Sequence, residues 1–374
     1  MTLKVDTITN LAGTGAPNVT DGVTVGGADL ASVNQMEYTS SAEPPEQPAN
    51  GAVWWNTGDE KMFLYVNDAW YEIDYSMPPP GMLGDRQVVG GGTSTVTSMT
   101  NVIQYYSASS PGNASDFGDL TVGRQDLGAF SNGSRGVFVD GGTGSGKQNV
   151  LDYITIATAG NATDFGDDLV ARQYIGTCSN TVYGLTAGGI STTFEFTISS
   201  TTIATTGNSV DFGDLTAKRY FLRACSNLTY GVFGNGYASG SSDNNIIDYV
   251  TINTPSNATN FGDMTKYSWS GYGACSNGPR GLFGGGTAPG GTRNQIDYIT
   301  IDTPSNATDF GDLTQNRNEV AGSSDGTYGI FAGGTAGGTK YNIIDYVVID
   351  TLGNATDFGD LLVGLEAHAA CSGG

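Results

Sequence analysis

Short apolar runs, rich in β-branched and aromatic side chains, alternate along this chain with stretches of Gly, Ser, Thr and Asn. Runs such as Gly281-Leu-Phe-Gly-Gly-Gly286 and Tyr328-Gly-Ile-Phe-Ala-Gly-Gly334 end in glycines. A polar loop of about ten residues follows, and then a segment like Ile296-Asp-Tyr-Ile-Thr-Ile301. Both kinds of run are bounded by turn residues, and no window sustains the three-to-four spacing of an amphipathic helix. The pattern predicts strands and almost no helix.

The strands recur in a fixed order. The phrase Asn113-Ala-Ser-Asp-Phe-Gly-Asp-Leu120 returns at Asn161, Asn208, Asn257, Asn306 and Asn354, and its phenylalanines (Phe117, Phe165, Phe212, Phe261, Phe310, Phe358) are 48, 47, 49, 49 and 48 residues apart. Adding a small-residue strand such as Gly273-Ala-Cys-Ser276 and the phrase itself makes about four strands per unit. Six units of that kind predict an all-β, six-bladed β-propeller with four-stranded blades over residues 85–374. The first unit lacks a small-residue strand, whereas the last is followed by Ala367-His-Ala-Ala-Cys-Ser-Gly-Gly374, which aligns with the missing one. A C-terminal strand completing blade one would remove the exposed edges of an open array.

The order small-residue strand, apolar strand ending in Gly-Gly, polar loop, strand with Asp-Tyr, and a following Arg resembles a divergent kelch-type repeat. It is carried by Gly188-Gly189, Asp152-Tyr153 and Arg172, and by Gly333-Gly334, Asp345-Tyr346 and Arg317. The outer-strand Trp usual in kelch repeats is replaced here by the Phe of the repeated phrase, and blade three has Ser199-Ser200 where others have Asp-Tyr. The wording over residues 85–374 also resembles repeats in virion structural proteins of marine tailed bacteriophages, particularly those of cyanobacteria. That resemblance implies a virion protein such as a tail fibre or appendage.

The first 80 residues differ. Asn50 to Ile73 holds Trp54, Trp55 and Trp70 and reads as three strands joined by two polar turns, a small β module at 37–76. With its proline-rich lead, Gly-x-x-Trp, Leu-Tyr-Val and closing Asn-Asp-x-Trp, it resembles a module of phage tail-fibre proteins. Lys4-Val-Asp-Thr-Ile-Thr-Asn10 and Gly13-Thr-Gly-Ala-Pro17 resemble the fibre end that attaches to the particle. This resemblance implies an attachment or oligomerisation segment at 1–36, other virion proteins as partners there, and a homotrimer. Pro78-Pro79-Pro80-Gly81 has the composition of a stiff linker, placed at 77–84.

Charge narrows the partners. Thirty-seven acidic against 15 basic residues give a net charge of −22, which opposes nucleic acid and anionic membrane surfaces. The sequence shows no signal peptide and no apolar stretch of transmembrane length, as expected of a virion protein made in a host cytoplasm. Cys178, Cys225, Cys275 and Cys371 occupy one position of the small-residue strand in different blades, which predicts buried, reduced thiols. The single histidine, His368, has no accompanying nucleophile or base in the sequence and is read as structural.

Two strings mimic known sites. Asp-Phe-Gly is repeated rather than placed once beside a kinase catalytic loop, and Gly141-Gly-Thr-Gly-Ser-Gly-Lys147 lacks the Ser or Thr and the helix of a phosphate-binding loop. Twelve of the acidic residues fall in the six copies of the phrase. The structural reading is that their carboxylates hold backbone N–H groups in a turn; the alternative is calcium at Asp164, Asp167 and Asp168.

Positions where the repeats disagree are candidates for a specific surface. They are the loop 236–243 with Tyr237, the aberrant run Thr192-Thr-Phe-Glu-Phe196 with Phe196, and 266–272 with Tyr267, Trp269 and Tyr272. Their aromatic rings suit a host-surface glycan. The expected function is therefore non-enzymatic host recognition. The alternatives are a decoration protein whose propeller binds only other virion proteins, and, third, a glycan-degrading propeller.

Overall fold

A computed structural model of the chain describes residues 83–238 and 245–374 continuously, with short stretches between residues 4 and 72. The chain divides into two compact units, Met1–Met77 and Pro78–Gly374. The described residues contain no helix.

The second unit is a six-bladed propeller. Each blade is an antiparallel meander of four strands, as in blade two with Gly128–Ser131, Arg135–Val139, Val150–Thr155 and Thr163–Asp167. The inner strands of blades three to six are Gly176–Ser179, Arg223–Ser226, Ser270–Ser276 and Ala321–Ser324. Blade one takes its inner strand from the C-terminus. Ala369–Gly373 pairs with Arg86–Gly90, with Cys371 opposite Val88, and Val102–Ser107 and Ser115–Asp119 complete the sheet. The expected closure is present.

Small side chains on the inner strands follow from crowding at the axis. Ser131 Oγ donates to the Ser372 carbonyl, Ser179 to Ser131, Ser226 to Ser179 and Ser276 to Ser226, each at 2.7 Å, so the hydroxyls link blade to blade around the ring. The preceding residue points into the next blade. Cys178 Sγ lies 2.8 Å from where a Cβ on Gly231 would stand, and Cys371 and Cys275 approach Gly136 and Gly329 in the same way. Glycine leaves room for the sulfur, and all four thiols are free and buried. Burial pushes the Cys275 and Cys371 thiols up to about 12.

The repeated phrase forms the outermost strand of each blade. Its phenylalanine is buried in the core and, in the five blades that have it, meets the tyrosine of the neighbouring strand edge-on, for example Tyr153–Phe165 at 5.9 Å. Its glycine sits at a positive φ of 144–154° beside a register shift, and a Cβ there would strike the backbone of the following blade. The residue that holds a backbone N–H is the asparagine, which corrects the carboxylate role expected from sequence. Asn161 Oδ1 accepts from Asp119 N at 3.1 Å, and Asn208, Asn257, Asn306, Asn354 and Asn113 do the same for the preceding blade. The phrase is thus a clasp between blades, while the first aspartates of the phrase, such as Asp116 and Asp164, face solvent.

In the first unit, Val53–Asn56, Lys61–Val66 and Ala69–Glu72 form the expected antiparallel strands. A fourth, Tyr38–Ser41, joins in parallel to Val53–Asn56. Sequence did not reveal it, because its Tyr-Thr-Ser-Ser run carries little apolar signal. Trp54 is buried against Phe63 and Trp70, with ring centroids 5.0 and 5.6 Å away. Ahead of it, Lys4–Val5, Val23–Val25 and Ala28–Asp29 form one small sheet, and Ile8–Thr9 and Asn18–Val19 another. Most of the segment at 1–36 and of the linker at 77–84 lies outside the described residues.

Candidate binding face

An up-and-down blade places its first and third turns at one end and its remaining connections at the other. The loop between strands two and three, and the connection from each outer strand to the next inner strand, therefore share one face. All three irregular segments found in the sequence belong to such connections, although 239–243 lies outside the described residues.

That face is scaffolded by buried ion pairs. The connection entering blade two carries Arg124, whose Nη1 is 2.7 Å from Asp152 of that blade. Arg219 reaches Asp248 at 3.0 Å, and Arg317 reaches Asp345 at 2.7 Å, all six side chains being fully buried. These are the Arg and Asp-Tyr positions of the kelch-like pattern. Thr216 and Thr314 add hydroxyl and N–H donors to the same carboxylates.

The exceptions are compensated. In blade three Ser199 replaces the aspartate, and the carboxylate comes instead from Asp168, 2.9 Å from Arg172, with Asp140 at 3.3 Å. Burial works against the Asp168 charge, yet Arg172 and the Ser199 hydroxyl hold its carboxyl below the usual range. Entering blade one, both partners change: Leu365 stands for arginine and Gln104 for aspartate, and Gln104 Oε1 accepts from Leu362 N at 2.7 Å. Entering blade five, Ser268 replaces arginine, and Asp297 keeps only Thr265 and Gln295, its carboxyl raised by burial. Asp168 is therefore part of a clasp, while Asp164 and Asp167 are exposed on the outer strand. Among the described residues no three acidic, His or Cys side chains group closely enough to hold a metal, so the calcium set does not assemble.

Inside the clasps, one residue per connection adopts a left-handed backbone with φ of 56–62°: Asp126, Tyr174, Phe221, Gly271, Glu319 and Ala367. Their peptide groups link around the axis, Tyr174 N to Asp126 O at 2.9 Å, Phe221 N to Tyr174 O at 2.8 Å, Glu319 N to Gly271 O at 2.6 Å and Asp126 N to Ala367 O at 2.7 Å. Because the ring is built by backbone, its side chains are unconstrained by the repeat. The next residue of each connection is buried: Leu127, Ile175, Leu222, Tyr272, Val320 and His368. Tyr272 is thereby a core residue, with burial raising its hydroxyl. His368 is 2% exposed, its Nε2 lies 3.1 Å from the Ala332 carbonyl, and burial lowers it to about 4, so it is neutral.

Below this tier the inner strands enclose an axial cavity of about 50 Å³ lined by Thr177, Arg223 and His368 among small residues. Arg223 occupies a position that is Gly128, Gly176, Gly273, Ala321 or Ala369 in the other blades. Its Nη1 donates to the Ile175 and Leu222 carbonyls at 3.1 and 3.0 Å. At the mouth, burial and the charge of Glu366 raise Asp126 to about 6, against the pull of Gln125 and Arg223. Burial, Asp126 and Glu366 raise Glu319 to about 7, Arg223 and Lys340 opposing.

From Tyr174 outward over blades three and four runs a row of half-buried rings. Tyr174 and Phe221 have centroids 4.1 Å apart, Phe221 and Tyr220 4.9 Å, Tyr220 and Phe194 4.8 Å, and Tyr220 and Tyr237 5.5 Å. Of the aromatics singled out from sequence, Tyr237 belongs to this row. Phe196 packs on the core between blades three and four under the Lys218 ammonium, 4.8 Å from its ring. Tyr267 and Trp269 are half-buried in the connection entering blade five, with Trp269 N bonded to the Thr287 carbonyl at 2.8 Å. Thus Tyr237 lies in the row, while Phe196 and Tyr272 pack into the core. Sequence reasoning missed Tyr174, Tyr220 and Phe221, and within the run 192–196 it singled out Phe196 where Phe194 joins the row. Aligning the connections between blades would have found these three, since Asp126, Gly271, Glu319 and Ala367 share a column with Tyr174 and Phe221, and Gln125, Gln173, Trp269, Asn318 and Glu366 share one with Tyr220.

No protein-family model matches this chain, and no curated protein sequence matches it.

Proposed function

We propose that this chain is a non-enzymatic virion protein of a tailed bacteriophage, joined to the particle by its N-terminal part and presenting the propeller for recognition of a host-surface glycan. The observation that carries the reading is the distribution of irregularity. The rim and the axis repeat the same clasps in blade after blade, whereas the three departures from the repeat fall on one face. A scaffold that served only to stack would have no reason to vary one face and keep the rest. The surface is acidic but sparse in charged residues, 14% of the chain, and suits hydrogen bonding to sugars over binding to nucleic acid. Glycoside hydrolysis needs two carboxylates flanking a bond in a cleft. Most acids here repeat around the rim, and Asp126 is 4% exposed.

The test is binding of fluorescently labelled full-length protein to marine cyanobacterial cells, before and after periodate oxidation of their surface sugars. Saturable binding that periodate abolishes supports the reading. Absence of binding, together with antibody labelling of purified virions, would establish the decoration role in its place.

A further inference from the structure

We propose that Tyr174, Phe194, Tyr220, Phe221 and Tyr237 form a stacking platform for a neutral hexopyranose chain, with the carboxylates of Asp126 and Glu319 at its axial end excluding anionic sugars. This inference rests on the reading that the loop face binds a surface glycan, and it names the site and the sugar class.

The repeats themselves show that the fold does not require these rings. The positions of Tyr174 and Phe221 are Asp, Gly, Glu and Ala elsewhere, and that of Tyr220 is Gln in two other connections, Asn in a third and Glu366 in a fourth, with Trp269 the one other aromatic, in the connection entering blade five. Tyr237 follows Asn235-Gly236 where Thr93, Thr287 and Thr335 stand in three other blades and Gly142 in blade two, and Phe194 lies in the run peculiar to blade three. Aromatic residues have been placed at four sites where the same backbone is built without them, the loop peculiar to blade three adds a fifth, and all five are in one row. Each ring is half-buried, so it is held by neighbours while keeping part of its surface open. Three of the five carry hydroxyls, and exposed Thr192 and Thr193 flank them. A surface of apolar faces with polar edges matches a pyranose, whose axial C–H groups form an apolar face and whose hydroxyls radiate from the edge.

Charge decides which sugars. Asp126 and Glu319 stand in the same backbone ring as Tyr174, and Glu366 is close enough to act on both. Arg223 and Lys340 are the opposing cations, so three carboxyls face two cations at this end of the row, and the negative excess is complete above about pH 7, where Glu319 ionises. With the net charge of −22, the mouth repels uronate and sulfate groups.

Calorimetric titration of the full-length protein with cellohexaose and laminarihexaose, against an alginate hexamer, tests the proposal. The paired variant Tyr220→Gln with Tyr237→Thr installs residues that this fold already carries at the matching positions. We expect a neutral hexamer to bind at least tenfold more tightly than the alginate hexamer, and the variant to lose at least tenfold in affinity with an unchanged melting temperature. Equal affinity of wild type and variant, absence of binding to both neutral hexamers, or tighter binding of alginate overturns it. If periodate-sensitive cell binding survives alongside any of those results, the host-recognition reading stands and only the platform fails. If the hexamers behave as expected but cells are not bound, the platform stands and host recognition falls.

Discussion

The side-chain oxygen of Asn113 accepts a hydrogen bond from the backbone N–H of Asp360 at 3.1 Å, across 247 residues of chain. The same bond joins every neighbouring pair of blades, so this one closes the ring at its rim as Ala369–Gly373 closes it at the axis. Removing residues 367–374 leaves Arg86–Gly90 an open edge beside the axis. Calorimetry should then show loss of the single cooperative transition, whereas Asn113→Ala should cost only about 1 kcal/mol, the worth of one hydrogen bond. A truncated chain that melts like the full one would contradict the closure.

The buried pair Arg317–Asp345 should behave asymmetrically. Replacing Arg317 alone with Leu strands a carboxylate in the core and should cost about 3–5 kcal/mol in denaturant unfolding. Adding Asp345→Gln recreates the combination that Leu365 and Gln104 already form at blade one, and should recover a large part of that loss. Additive effects of the two changes would show that the sites are independent.

The neutral state of His368 makes stability pH-dependent. Its folded pKa of about 4 lies below the unfolded value, so the unfolded chain binds the extra proton and stability is lost as pH falls from about 6.5 toward 4. Asp126 and Glu319 act in the opposite direction, since raised carboxylate values favour the folded state at low pH and lose that contribution as pH rises through about 6 and 7. His368→Leu isolates the histidine. Against wild type, the variant should gain about 3 kcal/mol between pH 7 and 4, read from urea unfolding at each pH. A constant difference would mean that the imidazole titrates in the fold as it does in the unfolded chain.

Native thiol titration should find almost none of Cys178, Cys225, Cys275 and Cys371, and denaturation should release all four. Each sulfur is enclosed between its own inner strand and a glycine of the next blade. Rapid modification of the native protein would contradict that packing.

Strand content, the six-fold repeat and the closing C-terminal strand were determined by the sequence alone, because the constraints behind them are local and periodic. Alternation within Ile296–Ile301, glycines after each apolar run and the aligned Cys-Ser steps of the inner strands all state their geometry within a few residues. The partners across blades were decided only by tertiary structure. Nothing near Asn113 indicates Asp360, and Asp168 looked like one of three calcium ligands until Arg172 and Ser199 were brought to it. Tyr272 and Trp269 likewise looked equivalent, yet one inner-strand step buries the first and leaves the second half-exposed. The aromatic row is the clearest case: Tyr174, Phe194, Tyr220 and Tyr237 span more than one repeat of chain, and only the turn of the ring sets their faces side by side. A residue's periodic position names its element and tier, but its neighbours in the next blade lie some fifty residues away, where packing rather than pattern selects them.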